Sequence, residues 1–164
     1  MRLENILEEV KVLAAEAGEF IAEQRLNFDT SKVETKHSHD YVSYVDKECE
    51  RRIVARLKEI MPEAGFITEE NTVEQKTEST EYYWIVDPLD GTTNFIHDLA
   101  PYCVSIALRN NQEILLGVVY EVTRKELYSA AKGFGAYLNG IKLQVSGISN
   151  LDEALVMIGY PYNA

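Results

Sequence analysis

Asp87 and Asp90 stand three residues apart at the end of an apolar run, in Trp84-Ile85-Val86-Asp87-Pro88-Leu89-Asp90-Gly91-Thr92-Thr93-Asn94-Phe95. Hard divalent cations prefer carboxylate and carbonyl oxygens, so two aspartates flanking the Leu89 carbonyl could hold Mg²⁺ within one short loop. Gly91 and Thr92 follow directly. Their amides could cradle a phosphate, and the Thr92 hydroxyl could orient an attacking water. A second acidic element, Gly65-Phe66-Ile67-Thr68-Glu69-Glu70, repeats the pattern of a short apolar strand ending in carboxylates. Two strands that bring Glu69, Asp87 and Asp90 to one place would build a divalent-metal phosphatase site.

The elements that must position these residues are legible in the hydrophobic spacing. Leu3, Ile6, Leu7, Val10, Leu13, Ala14, Ala17, Phe20 and Ile21 form one stripe at three- and four-residue intervals, which predicts an amphipathic helix. The polar stretch Asn27 to Asp40 reads as a loop beside the site. A second helix follows, with Val45, Cys49, Ile53, Leu57 and Ile60 as its buried face. Ser43 and Asp46 form its capping box, and Pro62 ends it. Strands are expected at Phe66 to Thr68, Tyr82 to Val86, Tyr102 to Leu108, Ile114 to Tyr120, Leu127 to Ala131 and Ala136 to Leu138. Pro88 is expected to end regular pairing, while Asn110-Asn111 and Asn139-Gly140 signal hairpins. Short turns between successive strands predict an α+β fold, two N-terminal helices layered on a mainly antiparallel sheet.

The chain has 164 residues with 46% hydrophobic content, enough for one sizeable core, and no internal repeat or low-complexity tract. A net charge of −11 argues against a nucleic-acid surface, because phosphate backbones are bound chiefly through Lys and Arg. Clustered carboxylates can still receive an anionic substrate once divalent ions reverse the local field. Cys49 and Cys103 are the only cysteines and lack zinc spacing, so packing roles are expected of both. His37, His39 and His97 show no metal-ligand spacing. Charges interrupt any leader-like core near Met1, and no segment reaches the roughly 20 apolar residues that span a bilayer, so a cytoplasmic, membrane-free protein is expected.

On these residues the sequence resembles the inositol monophosphatase family, whose signature D-P-[IL]-D-G-T-T-N-F is matched from Asp87 to Phe95 and is preceded by an apolar segment ending in Glu-Glu. The likeness runs from the first helix through Lys36 and Asp40-Tyr41-Val42-Ser43-Tyr44-Val45-Asp46 to Gly159-Tyr160-Pro161-Tyr162. It implies the N-terminal domain of the inositol monophosphatase and fructose bisphosphatase fold. Residues 1–150 would form the metal-binding domain, and 151–164 the start of a crossing into a second domain. In the family that second domain carries a W-D-x-A-A-G-type motif whose Asp completes the metal site. The only Trp here is Trp84, so the chain alone is expected to be weakly active or inactive.

The same resemblance implies residue roles. Asp87 would bridge metal ions, Glu69 and the Leu89 carbonyl would complete one ion site, and Asp90 would serve a second. Glu70 would support them from behind. Asp90, Gly91 and Thr92 would contact substrate, and Thr92, Asp46 and Glu69 would carry the chemistry, with Asp46 hydrogen-bonding Thr92 to polarise water. The implied activity is Mg²⁺-dependent, lithium-sensitive hydrolysis of a small phosphate monoester in a homodimer. Inositol 1-phosphate leads because Thr93-Asn94-Phe95 follows the turn. Alternatives are another sugar or nucleotide phosphatase of the superfamily, or a non-catalytic interaction module.

Overall fold

The computed structural model of the protein describes residues 2–29, 33–37, 40–74 and 80–157, with backbone alone for 34–37 and 40–42. Helix α1 spans Leu3–Leu26, and its stripe is buried at Leu7, Val10, Leu13, Ala14, Ala17, Phe20 and Ile21. Helix α2 spans Tyr44–Ile60 and starts at the expected capping box, with Ser43 as N-cap and Asp46 reaching back to the Ser43 amide. Its buried face holds Val45, Asp46, Cys49, Glu50, Ile53, Val54 and Leu57. The face is therefore apolar except for two acids one turn apart.

Seven strands form one sheet in sequence order: β3 Gly65–Thr68, β4 Tyr82–Asp90, β5 Cys103–Asn110, β6 Ile114–Glu121, β7 Glu126–Ala131, β8 Gly135–Leu138 and β9 Ile141–Lys142. All neighbours are antiparallel except β3 and β4, which run parallel. A parallel pair needs a connection of about a dozen residues rather than a tight turn, and the segment after Thr68 provides that length. Helix α1 lies over β5, β6 and β7, and α2 lies over β4. The shared core is built from Trp84, Val86, Val104, Ile106, Leu108, Leu116 and Val118. Gly18 lets α1 approach β6 closely, since a Cβ there would sit 2.2 Å from Tyr120 Cδ1. The α+β expectation holds, and no helix among the described residues is long and apolar enough to cross a membrane.

Four details differ from the sequence expectations. The stretch read as loop contains an antiparallel pair, β1 Glu34–His37 with β2 Asp40–Val42, and β2 lies against the later helix α3, Thr92–Ile96. The sequence of the pair is too polar for hydrophobic alternation to announce it, because a two-stranded ribbon can form through backbone pairing alone. Strand β4 does not stop at Pro88 but continues to Asp90 through an irregularity. Residues Thr92–Ile96 form a short helix, α3, where only a turn was expected. Finally, β9 extends the sheet beyond the Asn139-Gly140 turn, whose residues have φ of 48° and 79° as a two-residue primed turn requires. In the stretch expected to cross into a second domain, Leu151–Glu153 is an exposed 3₁₀ turn, while 158–164, with the matched Gly159-Tyr160-Pro161-Tyr162, lie outside the described residues.

Candidate active site

Parallel pairing places the C-terminal ends of β3 and β4 side by side, with Thr68 opposite Val86. One residue further, the Glu69 amide donates to the Val86 carbonyl at 3.2 Å, so Glu69 stands beside Asp87. The two carboxyl groups are hydrogen-bonded to each other. Burial first, then the charge and hydrogen bond of Glu69, then the charge of Asp90, push the Asp87 carboxyl up to about 8. The Leu89 amide, donating to Asp87 Oδ1 at 3.1 Å, opposes this only in part.

The irregularity in β4 explains how Asp90 joins them. In a regular strand, residues three apart point to opposite faces. Here Asp87 is opposite Ser105 while Asp90 is opposite Cys103, so three steps on β4 match two on β5. The extra residue is a β-bulge that returns Asp90 to the face carrying Asp87. Pro88 is tolerated because a bulge leaves a position without a ladder hydrogen bond to donate. Cys103, on the same face, directs its thiol toward Asp90 Oδ2 at 3.7 Å. Burial and the acidic neighbours push that thiol up to about 12, so it remains a donor.

After the bulge, Gly91 turns the chain at φ 89°, and a Cβ there would lie 3.0 Å from the Pro101 carbonyl oxygen and 3.3 Å from Tyr102 Cα. Both the conformation and the space require glycine. Gly91 caps α3, which is anchored by Phe95. This fully buried ring makes edge contacts with Phe28 at 4.8 Å and Tyr102 at 5.5 Å, with the Arg25 guanidinium over it at 5.7 Å. Thr92, the first residue of α3, is thereby set between two acceptors. Its Oγ1 lies 2.9 Å from Asp46 Oδ1 and 2.9 Å from the Leu89 carbonyl oxygen.

Helix α2 braces this end of the sheet. Asp46 is 1% exposed and divides its carboxylate: Oδ2 accepts from the Ser43 amide at 2.9 Å and the Ser43 hydroxyl at 2.5 Å, while Oδ1 faces Thr92. Burial raises its pKa, against the lowering pull of the Ser43 and Thr92 hydrogen bonds. Cap and site contact are thus both present in one side chain. Cys49 Sγ donates to the Pro88 carbonyl at 3.5 Å, and burial pushes its thiol up to about 12. Glu50, with no exposure, accepts from the amides of Glu70 and Thr72.

Of the residues singled out from the sequence, Glu69, Asp87, Asp90, Leu89, Gly91, Thr92 and Asp46 converge here, and Glu70 enters through its amide. Cys49 packs as expected, whereas Cys103 also touches the site. His97 is exposed beyond α3. The side chains of Lys36, His37 and Asp40, and all of His39, lie outside the described residues. Sequence reasoning missed Glu50, Phe95 and Cys103. Glu50 had a signal, an acid four residues after Asp46 on an otherwise apolar face.

Among the described residues no three His, Cys, Asp or Glu side chains are already drawn into an ion cage. The donor chemistry nevertheless fits a hard cation. Glu69, Asp87 and Asp90 offer carboxylate oxygens and Leu89 a carbonyl, and the crowding that raises Asp87 is what a cation between them would relieve.

A profile of the inositol monophosphatase family matches residues 2–164. The Nus factor SuhB of Pseudomonas aeruginosa is 40% identical over 150 residues, covering 91% of this chain and 55% of that protein. The inositol-1-monophosphatase of Mesorhizobium japonicum is 37% identical over 149 residues, covering 91% and 56%. A staphylococcal inositol monophosphatase-1, solved as a LiCl-soaked inhibitory complex, superposes with a TM-score of 0.78 at 29% identity, covering 88% of this chain and 54% of that one. The chain thus spans about half the length of the relatives it matches. With its sequence matched almost end to end and its fold shared with a solved member, the chain belongs to the inositol monophosphatase family.

Proposed function

We propose that this chain is the ion-binding part of a Mg²⁺-dependent phosphatase that hydrolyses a small phosphate monoester, inositol 1-phosphate first among candidates, by direct in-line attack of water. The observation that carries this reading is the Thr92 hydroxyl, held 2.9 Å from both Asp46 and the Leu89 carbonyl beside the hydrogen-bonded Glu69 and Asp87 carboxyls. Glu69, Asp87, Asp90 and the Leu89 carbonyl would hold the ions. Bound Mg²⁺ supplies charge neutralisation at the phosphate oxygens and a lowered water pKa.

The chain's own residues do the positioning. Thr92 has one proton and two acceptors, so its oxygen keeps a lone pair free to accept from a water and fix that water's orientation. Asp46 Oδ1 accepts the hydrogen bond from the Thr92 hydroxyl in this arrangement and so orients it. Gly91 brings the backbone close enough for its amide and that of Thr92 to meet a phosphate, and exposed Asp90 meets the ion or a substrate hydroxyl at the rim. A domain beyond this chain would supply the remaining acidic ligand and most of the leaving-group pocket. A homodimeric state is what the resemblance implies, and a cytoplasmic location is carried over from the sequence expectation.

The test is phosphate release by the intact protein from inositol 1-phosphate, with fructose bisphosphate and a nucleotide monophosphate as comparisons, across Mg²⁺ and then Li⁺ concentrations. Mg²⁺-dependent turnover that Li⁺ inhibits is expected. Turnover indifferent to Mg²⁺ would remove the reading. A second reading, a binding role like that in the name of the Pseudomonas Nus factor, is favoured by the 40% identity to that protein. It predicts a partner complex that survives Asp87→Asn.

A further inference from the structure

We propose that Glu50 is a positioning residue, holding the acidic loop after β3 in the conformation that presents Glu69 to the ion. The inference rests on the metal-dependent reading above and goes beyond it in assigning a role to a side chain that touches neither ion nor substrate.

Glu50 lies one turn beyond Asp46 on the buried face of α2, and its exposure is 0%. A carboxylate so enclosed is costly unless its oxygens are satisfied. Its donors all come from one short stretch of chain. Oε2 accepts from the Glu70 amide at 2.7 Å, while Oε1 accepts from the Thr72 amide at 2.7 Å and the Thr72 hydroxyl at 2.6 Å. These lengths are those of strong hydrogen bonds to a charged acceptor.

The stretch it grips needs holding. Asn71, between the two anchored residues, has φ 52°, a left-handed conformation that residues with a Cβ adopt only at a cost. Part of that cost is offset locally by the Asn71 side-chain amide, which donates to the Glu69 carbonyl at 3.0 Å. Glu50 ties down both flanks of the left-handed residue. Glu69 is consequently fixed from two sides: its own amide is bound to β4 at Val86, and the next amide is bound to α2 at Glu50. Its side chain therefore leaves the backbone in one direction, toward Asp87. The same helix sets Thr92 through Asp46, so one rigid element fixes both halves of the ion site.

Glu50→Gln tests this because an amide has one acceptor oxygen. Its NH₂ group must then face either the Glu70 or the Thr72 amide, and one donor loses its partner. Two measurements on the intact protein, without substrate, separate positioning from general stability: calorimetric Mg²⁺ binding, and hydrogen exchange at the Glu70 and Thr72 amides. Loss of a group that orients a ligand typically weakens metal binding by about 10- to 100-fold, so Glu50→Gln should weaken Mg²⁺ at least about tenfold and speed exchange at one or both amides. Val54→Ala, which thins the same helix face away from the loop, should lower the melting temperature without changing either readout. Thr72→Val, which deletes one of the three bonds, should move both in the direction of Glu50→Gln by a smaller factor and serves if that variant does not fold. A folded Glu50→Gln protein, or failing that Thr72→Val, with wild-type Mg²⁺ affinity overturns the proposal. If the wild type itself binds no Mg²⁺, the phosphatase reading fails instead, and unchanged exchange at residues 70 and 72 overturns the clamp separately.

Discussion

Thr92 Oγ1 and Asp46 Oδ1 lie 2.9 Å apart across 46 residues of sequence, joining the first turn of α3 to the first turn of α2. The contact links the turn after the bulge to a helix cap. Changes at either residue should therefore be felt both in stability and in turnover, but in different proportions.

Thr92→Ala removes the hydroxyl and leaves the carboxylates alone. Turnover is expected to fall by about 10²-fold or more, the usual contribution of a group that orients or moves a proton, with the Mg²⁺ requirement nearly unchanged. Thr92→Ser should recover most of the rate. Parallel losses in turnover and metal affinity would assign Thr92 to the ion site rather than to the water. Asp46→Ala should add a loss of about 1 kcal/mol in stability, because the cap of α2 goes with it.

Asp87→Asn imitates the protonated carboxyl that the crowded site favours, since an amide can still accept from Leu89 and donate to Glu69. In metal-free buffer at pH 8 the variant should be no less stable than wild type, and more stable by up to about 1 kcal/mol as like-charge repulsion is relieved. Mg²⁺ should raise the melting temperature of wild type and not of the variant. Calorimetric scans with and without Mg²⁺ decide the matter, and an equal Mg²⁺ shift in both proteins would remove Asp87 from the ion site.

Gly91→Ala places a Cβ against the Pro101 carbonyl in a left-handed conformation. A loss of about 1–3 kcal/mol is expected from strain alone, measured by urea denaturation. Gly117→Ala is the control, because a Cβ there meets nothing within 4 Å. If both substitutions cost the same, the turn does not depend on its special geometry.

Glu121 supplies a pH dependence outside the proposed ion site. Burial acts to raise its pKa, but hydrogen bonds from the Thr123 hydroxyl and from backbone amides including Arg124 and Thr123 outweigh it, and the folded value lies below the ordinary 4.5. A carboxyl depressed on folding stabilises the protein fully above its unfolded value. That stability is lost as pH falls through the folded value. Acid titration of stability should show a component below pH 4.5 that Glu121→Gln flattens. An unchanged acid limb in that variant would place the titrating group elsewhere.

Much of this architecture was legible in the residues, and the exceptions share a cause. Helices α1 and α2 and the strands of the sheet follow from local periodicity, and Asp46 from its spacing to Ser43. Strand-ending acids foretold that Glu69, Asp87 and Asp90 would meet. What was missed depends on partners distant in sequence. The β1 and β2 ribbon is held by backbone pairing, α3 by the rings of Phe28 and Tyr102 around Phe95, and Glu50 by amides 20 and 22 residues away. Pro88 misled because a proline can equally mark a bulge, and only the register against β5 separates a bulge from a strand end.

That bulge makes chain length, more than composition, the constraint on this stretch. Deleting Pro88 or Leu89 would restore an unbroken ladder opposite β5 with both aspartates still on one face, yet it would abolish the bulge that lets the Leu89 amide reach Asp87 and the Leu89 carbonyl reach Thr92. An insertion that kept the single-residue bulge would turn the second aspartate through the sheet, into the layer occupied by Trp84 and Val86. Many side-chain exchanges between Asp87 and Asp90 can be absorbed by repacking, whereas a one-residue indel cannot. The interval between the two acids should therefore be the last feature of this strand to drift as the sequence diverges.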